Sequence, residues 1–434
     1  MEKIYEDPNG AIRSHRMNRA QIMAVAVAVA IIGIEGYDIL SVSLASPGFA
    51  EEWGLNTETL GLVLAMETFG AAAGSLLFGR LADLVGRRSV IVWGLGLMTI
   101  IMALSATATN VVALACWRLL TGLCIGGTTP SLVTLVSEVA SDRRRDLAAT
   151  LLGFGYSLGL IVGGAAVAFI LLHLRWPWVF ALGCVLTGIA FLLALFFVPE
   201  TIPFLERRRP ANALARINTL REKFGHGPIE YLPAREENRA APKYGDLFLP
   251  HQRVNTLLIT GAYVFQASAF YFTLKWLPKI IVDMGHSAAE AASAVVIMNM
   301  GGFVGATFAG FLVQQFGLKR MMLAVTTLST IALAALSQAL GDLEHLAIVA
   351  ALAGMMTNAG LASISAAVAR AYPNVMRATG AGLTIGVGRG LAAMAPFTAG
   401  AMFAAGMAVP IVMIIMSLGS IAGGLLIART RFVD

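Results

Sequence analysis

The sequence predicts an all-α integral membrane protein: twelve transmembrane helices in two pseudo-symmetric six-helix bundles. Three observations lead there. The 434 residues are 57% hydrophobic and 13% charged, about half the charge of a soluble domain. Apolar runs of spanning length recur along the whole chain, and about 20 apolar residues suffice to cross roughly 30 Å of hydrocarbon. Finally, the polar segments between the runs alternate in charge, as the positive-inside bias requires.

In chain order, residues 1–19 are polar and form a tail. The first apolar run, from Gln21 to Phe49, is too long for the core of a cleavable signal and reads as an uncleaved first helix. The spans are placed at 20–45, 59–79, 88–107, 111–137, 147–172, 177–198, 254–281, 291–313, 321–340, 344–369, 378–405 and 407–428. This divides the chain into a tail (1–19), a first bundle (20–198), a central loop (199–252), a second bundle (253–428) and a tail (429–434). The loops on the side of the N-terminus hold Arg80, Arg87, Arg88, Arg143, Arg144, Arg145, Lys319 and Arg320, whereas the opposite loops hold Glu51, Glu52, Asp283, Glu290, Asp342 and Glu344. Both termini are therefore expected to be cytoplasmic. Within the central loop, "PANALARINTLREKFG" reads as a surface helix.

The two halves carry an internal repeat. "GRLADLVGRR" begins at Gly79 after span two, and "GFLVQQFGLKR" begins at Gly310 after span eight. Gly79 matches Gly310, Leu81 matches Leu312, Gly86 matches Gly317, and Arg88 matches Lys319. Paired halves around a central cavity are a transporter architecture. Other classes fit poorly. There is no Gly-x-x-x-x-Gly-Lys-Ser/Thr phosphate loop to drive a pump. The six histidines lie in loops or tails and the three cysteines show no metal spacing, so neither a metalloenzyme nor a bound cofactor is expected. The net charge of +6 is sorted by loop and reads as topology, not as a nucleic-acid surface.

Six ionisable residues fall inside spans: Glu35, Asp38, Glu67, Arg118, Lys275 and Arg389. Left unpaired they would cost on the order of 15–20 kcal/mol by simple summing, so they must pair, protonate or line water. At 1.5 Å rise per residue, Asp38, Arg118 and Glu67 lie at one level, about seven to nine residues inside the outer ends of their helices. Glu35 and Asp38 are three apart and point the same way. Two close carboxylates cannot both ionise easily, which makes Glu35, Asp38, Glu67 and Arg118 a candidate proton site; a static structural cluster is the alternative. Arg389, flanked by glycines in "GVGRGLA", has room to bind a carboxylate in bidentate fashion. Lys275 is a second carboxylate contact or a side chain snorkelling to the interface. Tyr37 and Tyr271 are candidates for an aromatic pocket. Glu138, beside Arg143 to Arg145, reads as a gate contact.

On these motifs the whole chain resembles the major facilitator superfamily. "GRLADLVGRR" follows that family's loop signature, "WRLLTGLCIGG" its span-four Arg-x-x-x-Gly pattern, and "VPETIPFL" its exit from span six. The acid-Gly-aromatic-Asp of span one, "PSLVTLVSEVASDRRR", "KWLP" and "GVGRG" are similar to the aromatic acid:proton symporters. The resemblance implies alternating access, proton-coupled import of an aromatic carboxylate across the inner membrane, and function as a monomer. It also implies a charge lock between the halves involving Asp83, with Arg87 and Arg88 anchoring the loop. Three positions depart from the pattern. Glu35 replaces an aspartate, Lys275 replaces a small polar residue, and Gln314 replaces the second loop acid. A carrier of another organic anion, or a drug/proton antiporter, is the alternative; span five lacks the Gly-Pro pair usual in the antiporters.

Overall fold

The computed structural model describes residues 10–232, 244–250, 252–339, 343–373 and 376–432; among these the regular structure is helical, with no strand. The N-terminal nine residues, 233–243 of the central loop and the last two residues lie outside the described residues. The α-helices are α1 (Gly10–Ser14), α2 (Arg19–Glu52), α3 (Thr57–Val85), α4 (Arg87–Ala106), α5 (Val111–Val139), α6 (Arg145–His173), α7 (Pro177–Phe197), α8 (Ile202–Arg208), α9 (Ala213–Lys223), α10 (Arg253–Asp283), α11 (Ala288–Phe316), α12 (Leu318–Ala339), α13 (Leu343–Ala371), α14 (Arg377–Ala392), α15 (Met394–Ala404) and α16 (Val409–Arg429).

Among the described residues, eleven helices are long and apolar enough to cross a membrane, and each coincides with one predicted span. The span placed at 378–405 is instead two shorter helices, α14 and α15, meeting at Ala393. Pro396 accounts for the break. It has no N–H to offer the carbonyl of Ala392, and its ring crowds that carbonyl. The helix read from "PANALARINTLREKFG" is α9, shorter at both ends.

Local chemistry sets where the spans start. Asn18 and Gln21 form a reciprocal capping box at α2, and Ser287 and Glu290 do the same at α11, so orphan amides are satisfied at the N-terminus of each. Asn56 and Asn110 cap α3 and α5 with their side chains.

The halves pack by one scheme. In the first, α2 lies on α6 and α7, α3 on α5, and α4 on α5 and α7. In the second, α10 lies on α14, α15 and α16, α11 on α13, and α12 on α13 and α16. The repeat seen in the sequence is thus a repeat of helix contacts. Two of its close glycine seams are equivalent too. A Cβ on Gly122 of α5 would stand 1.9 Å from the carbonyl oxygen of Glu67 on α3, and one on Gly354 of α13 would stand 1.9 Å from that of Met298 on α11. Small residues let backbones approach this closely, which drives helix association where the solvent is lipid. The turn glycines also match, since Gly86 ends α3 and Gly317 ends α11, both with positive φ.

Contacts between the halves run from α2 to α10, from α3 to α14 and α15, and from α6 to α11. They concentrate toward the end remote from the basic loops. There Gly61 of α3 faces the backbone of Pro396 and Gly400 on α15, and Ser43 donates to the carbonyl oxygens of Leu274 and Lys275 at 2.7 and 3.0 Å. Nearer the basic loops, Phe154 packs on Phe303, with ring centroids 5.5 Å apart, and Leu76 lies beside Gly386. The end remote from the basic loops is sealed, with Ser43, Glu67 and Lys275 all buried where the halves meet.

Gly122→Val should separate α3 from α5 and cost about 1–3 kcal/mol, as overpacking does. Thermal unfolding of detergent-purified protein would show a lowered midpoint. Gly153→Ala, where a Cβ meets nothing within 4 Å, should unfold like the parent.

Candidate functional site

Three groups of charged side chains occupy the span interiors. The first lies within the first bundle. Glu35 is buried, and its two carboxylate oxygens accept from the hydroxyls of Thr128 and Thr129 on α5 at 2.5 and 2.7 Å. One turn along α2, Asp38 is fully buried with both oxygens lacking a hydrogen-bond partner. It faces α7, where one of its oxygens is 3.4 Å from the Cβ position of Gly183. Arg118 is fully buried and within electrostatic range of Asp38 and Glu67. Its Nη2 donates to Ser105 at 2.6 Å, its guanidinium lies 4.7 Å from the centre of the Phe180 ring, and Nε and Nη1 have no partner. Asp38 and Arg118 thus face a shared interior with hydrogen-bonding capacity unspent.

The second group crosses between the halves. Lys275 does not snorkel: its side chain is 0% exposed and its Nζ lies 3.0 Å from Oε2 of Glu67, itself 2% exposed. The same Nζ donates to the carbonyl oxygen of Ile39 at 2.6 Å. Glu67 therefore has its ion-pair partner in the second half, while Arg118 reaches it only at longer electrostatic range. The sequence groups Glu67 with Asp38 and Arg118 in the first bundle; its ion-pair partner is instead Lys275 of the second.

The third group surrounds Arg389 on α14. The guanidinium is within electrostatic range of three phenols, Tyr271, Tyr263 and Tyr156, and the Tyr263 ring lies against the neighbouring Gly388; Nε is buried with no hydrogen-bond partner. Glu35, from the other half, is also within its electrostatic range. Tyr271, a pocket candidate from the sequence, is one of the three phenols near Arg389. Tyr37 does not: its hydroxyl donates to the carbonyl oxygen of Val179 and its ring packs on Gly163, so it locks α2 to α6 and α7. Tyr263, Thr128 and Thr129 carry no signal in the sequence, because single tyrosines and threonines are ordinary in apolar helices.

At the basic end, Arg87 is buried and bridges Glu138 at 3.1 Å and Asp83 at 3.7 Å. Arg88 donates to the carbonyl oxygens of Val198 and Leu195 at 2.9 and 2.8 Å, capping the C-terminus of α7. Glu200, just beyond α7, accepts from the amides of Arg87 and Arg88 at 3.1 and 3.5 Å and so caps the N-terminus of α4. Burial pushes its carboxyl above the usual range, opposed by those amides and that of Thr201. Gly86 must be glycine here, since φ is +100° and a Cβ would stand 2.1 Å from Glu200.

Residues 22–306 match the model of the Major Facilitator Superfamily. The chain belongs to that superfamily. Curated relatives span nearly its whole length. The "Gallate transporter" of Pseudomonas putida is 27% identical over 409 residues, covering 94% of this chain and 91% of the relative. The "4-hydroxybenzoate transporter PcaK" of Pseudomonas aeruginosa is 28% identical, covering 88% and 86%. The "3-(3-hydroxy-phenyl)propionate transporter" of Escherichia coli is 26% identical, covering 93% and 92%. Among solved structures, a D-xylose-proton symporter superposes with TM-score 0.73 at 16% identity, covering 94% of this chain and 97% of that one, which speaks for the fold. The protein is thus a multi-pass membrane transporter of the major facilitator superfamily, not an enzyme.

Against that family background, the lock expected between the halves at Asp83 lies elsewhere in this conformation. Asp83 is largely exposed, its ion pair stays within the first half, and its carbonyl oxygen accepts from Arg208 of the connecting segment at 2.8 Å. Among the described residues, the contacts of Asp83 are with Arg87 of its own half and Arg208 of the connecting segment.

Removing the Glu200 acceptor should uncap α4. Glu200→Ala is expected to cost about 0.5–2 kcal/mol and Glu200→Gln less, read as midpoints of thermal unfolding.

Proposed function

We propose that this transporter imports an aromatic carboxylic acid of the hydroxybenzoate type together with protons, by alternating access across the inner membrane. Both termini are cytoplasmic in this reading, and the monomer is the working unit. The observation that carries it is the surroundings of Arg389: a guanidinium with an unspent buried donor, within electrostatic range of three phenols and of Glu35 from the other half. A carboxylate satisfies the guanidinium in bidentate fashion, and the tyrosines supply both ring contacts and hydroxyls. The relatives named for gallate, 4-hydroxybenzoate and 3-(3-hydroxyphenyl)propionate support the aromatic class.

The proton is carried on Glu35 or Asp38. Asp38 has two buried oxygens with no donor, an arrangement whose neutral form avoids the cost of an unpaired anion in hydrocarbon. Arg118 supplies the compensating charge when the proton leaves. Protonation on one side of the membrane and release on the other then follow from which end of the parting is open. The loop of Asp83, Arg87 and Arg88, with Glu138, braces the first bundle at the basic end while the bundles rock.

Purified protein in liposomes with an inward proton gradient tests this. Uptake of labelled 4-hydroxybenzoate, protocatechuate or gallate should occur and should collapse with an uncoupler. Arg389→Ala should reduce uptake about 10- to 150-fold, the worth of a charge-assisted hydrogen bond of about 1.5–3 kcal/mol. Asp38→Asn should abolish gradient-driven uptake while sparing exchange of labelled for unlabelled substrate. Uptake of none of these acids, with proton-driven extrusion of a lipophilic cation, would establish an antiporter instead.

A further inference from the structure

The ion pair between Glu67 and Lys275 joins the two halves at the sealed end. Each partner is buried and belongs to a different half. Lys275 also holds the carbonyl oxygen of Ile39, the residue next to Asp38. No rocking motion can open this end without breaking both contacts, because α2 and α3 move away from α10. We propose that Glu67 and Lys275 form an outer latch, an ion pair that stabilises the outward-closed conformation and that is exchanged, on opening, for water or for the carboxylate of an incoming substrate.

Three features favour a latch over a static strut. First, among the described residues the pair has only each other as a charge of opposite sign within bonding distance, so its strength is confined to the closed state. Second, one oxygen of Glu67, Oε1, is buried with no hydrogen-bond partner; the carboxylate is held through Oε2 alone. Third, the surrounding seam is built for parting. Beside the apolar cluster that both halves share, its polar ties are few: Ser43 on the carbonyl oxygens of Leu274 and Lys275, next to the close approach of Gly61 to Pro396 and Gly400. Once freed, the ammonium lies in the mouth of the opened cavity, where an organic anion replaces Glu67 as its counter-ion. Glu67 and Lys275 act here as positioning residues for the conformational cycle.

This inference rests on the alternating-access reading but not on the identity of the substrate, and its test uses none. Ser46 is fully buried on α2, three residues beyond Ser43, and its hydroxyl has no partner, so Ser46→Cys sacrifices no hydrogen bond. With Cys116, Cys124 and Cys184 replaced by serine, the reaction of the single cysteine with a membrane-impermeant thiol reagent, applied to intact cells without substrate, reports opening of this end. The parent should react slowly. Glu67→Gln and Lys275→Met should each react at least about tenfold faster, a modest part of the shift that an unpaired buried charge produces. Lys275→Arg and the swap Glu67→Lys with Lys275→Glu should return to the slow rate. Single variants as slow as the parent, or a folded swap as fast as the singles, would overturn the latch. Should the singles fail to reach the membrane, the swap and Lys275→Arg decide by the same criterion. Failure of aromatic acid uptake would leave these rates unchanged, so the two readings fail separately.

Discussion

Moving an ionised side chain from water into hydrocarbon is costly, and this protein holds six of them within its spans. That constraint organises the interior. Each charge has been given a different solution. Glu35 is held by two threonine hydroxyls, Lys275 by Glu67 and a backbone carbonyl, and Arg118 by a serine hydroxyl and an aromatic face. Asp38 and part of the Arg118 and Arg389 guanidiniums keep unspent capacity. Groups with unspent capacity can take up a proton or an anion as they stand; the held groups, Glu35 on its threonines and Lys275 on Glu67, do so only by giving up those partners.

The close glycine seams make this arrangement possible. With α3 pressed onto α5 and α11 onto α13, each bundle is stiff and moves as a unit. The two halves touch each other through weaker, more varied contacts. Rigid bundles joined by a breakable seam are what rocking requires, because small shifts at a seam between packed bodies produce two discrete arrangements instead of a continuous deformation. The tight seams lie within the halves, and the ion pair of Glu67 and Lys275 lies between them. That placement assigns stability to the first and conformational choice to the second.

The break of α14 and α15 at Ala393 belongs to the same logic. Arg389 sits one turn before it, and Pro396, just after it, offers its carbonyl oxygen to Trp276 at 2.8 Å. The segment that carries the best candidate anion contact is thus anchored to α10 on its outer side and open toward the parting on the other.

The sequence by itself determined the helical class, the positions of eleven single-helix spans, the repeat of two halves and the six intramembrane charges. Those follow from local facts: hydropathy over a window, the sign of each loop, and charges that interrupt apolar runs. Depth along a helix was also legible, since rise per residue is fixed, and so Asp38, Glu67 and Arg118 were placed at one level. Lateral position was not. Nothing local links Glu67 to Lys275, which lie 208 positions apart and meet only because their long side chains reach across the seam where α10 packs on α2 and α3 packs on α15. Nor does a local pattern mark Thr128 and Thr129 as the donors to Glu35, separate Tyr37 from Tyr271, or bring Tyr156 and Tyr263 to Arg389. Which face of each helix meets which neighbour is set by the packing of all the spans together, and only the tertiary structure decides it.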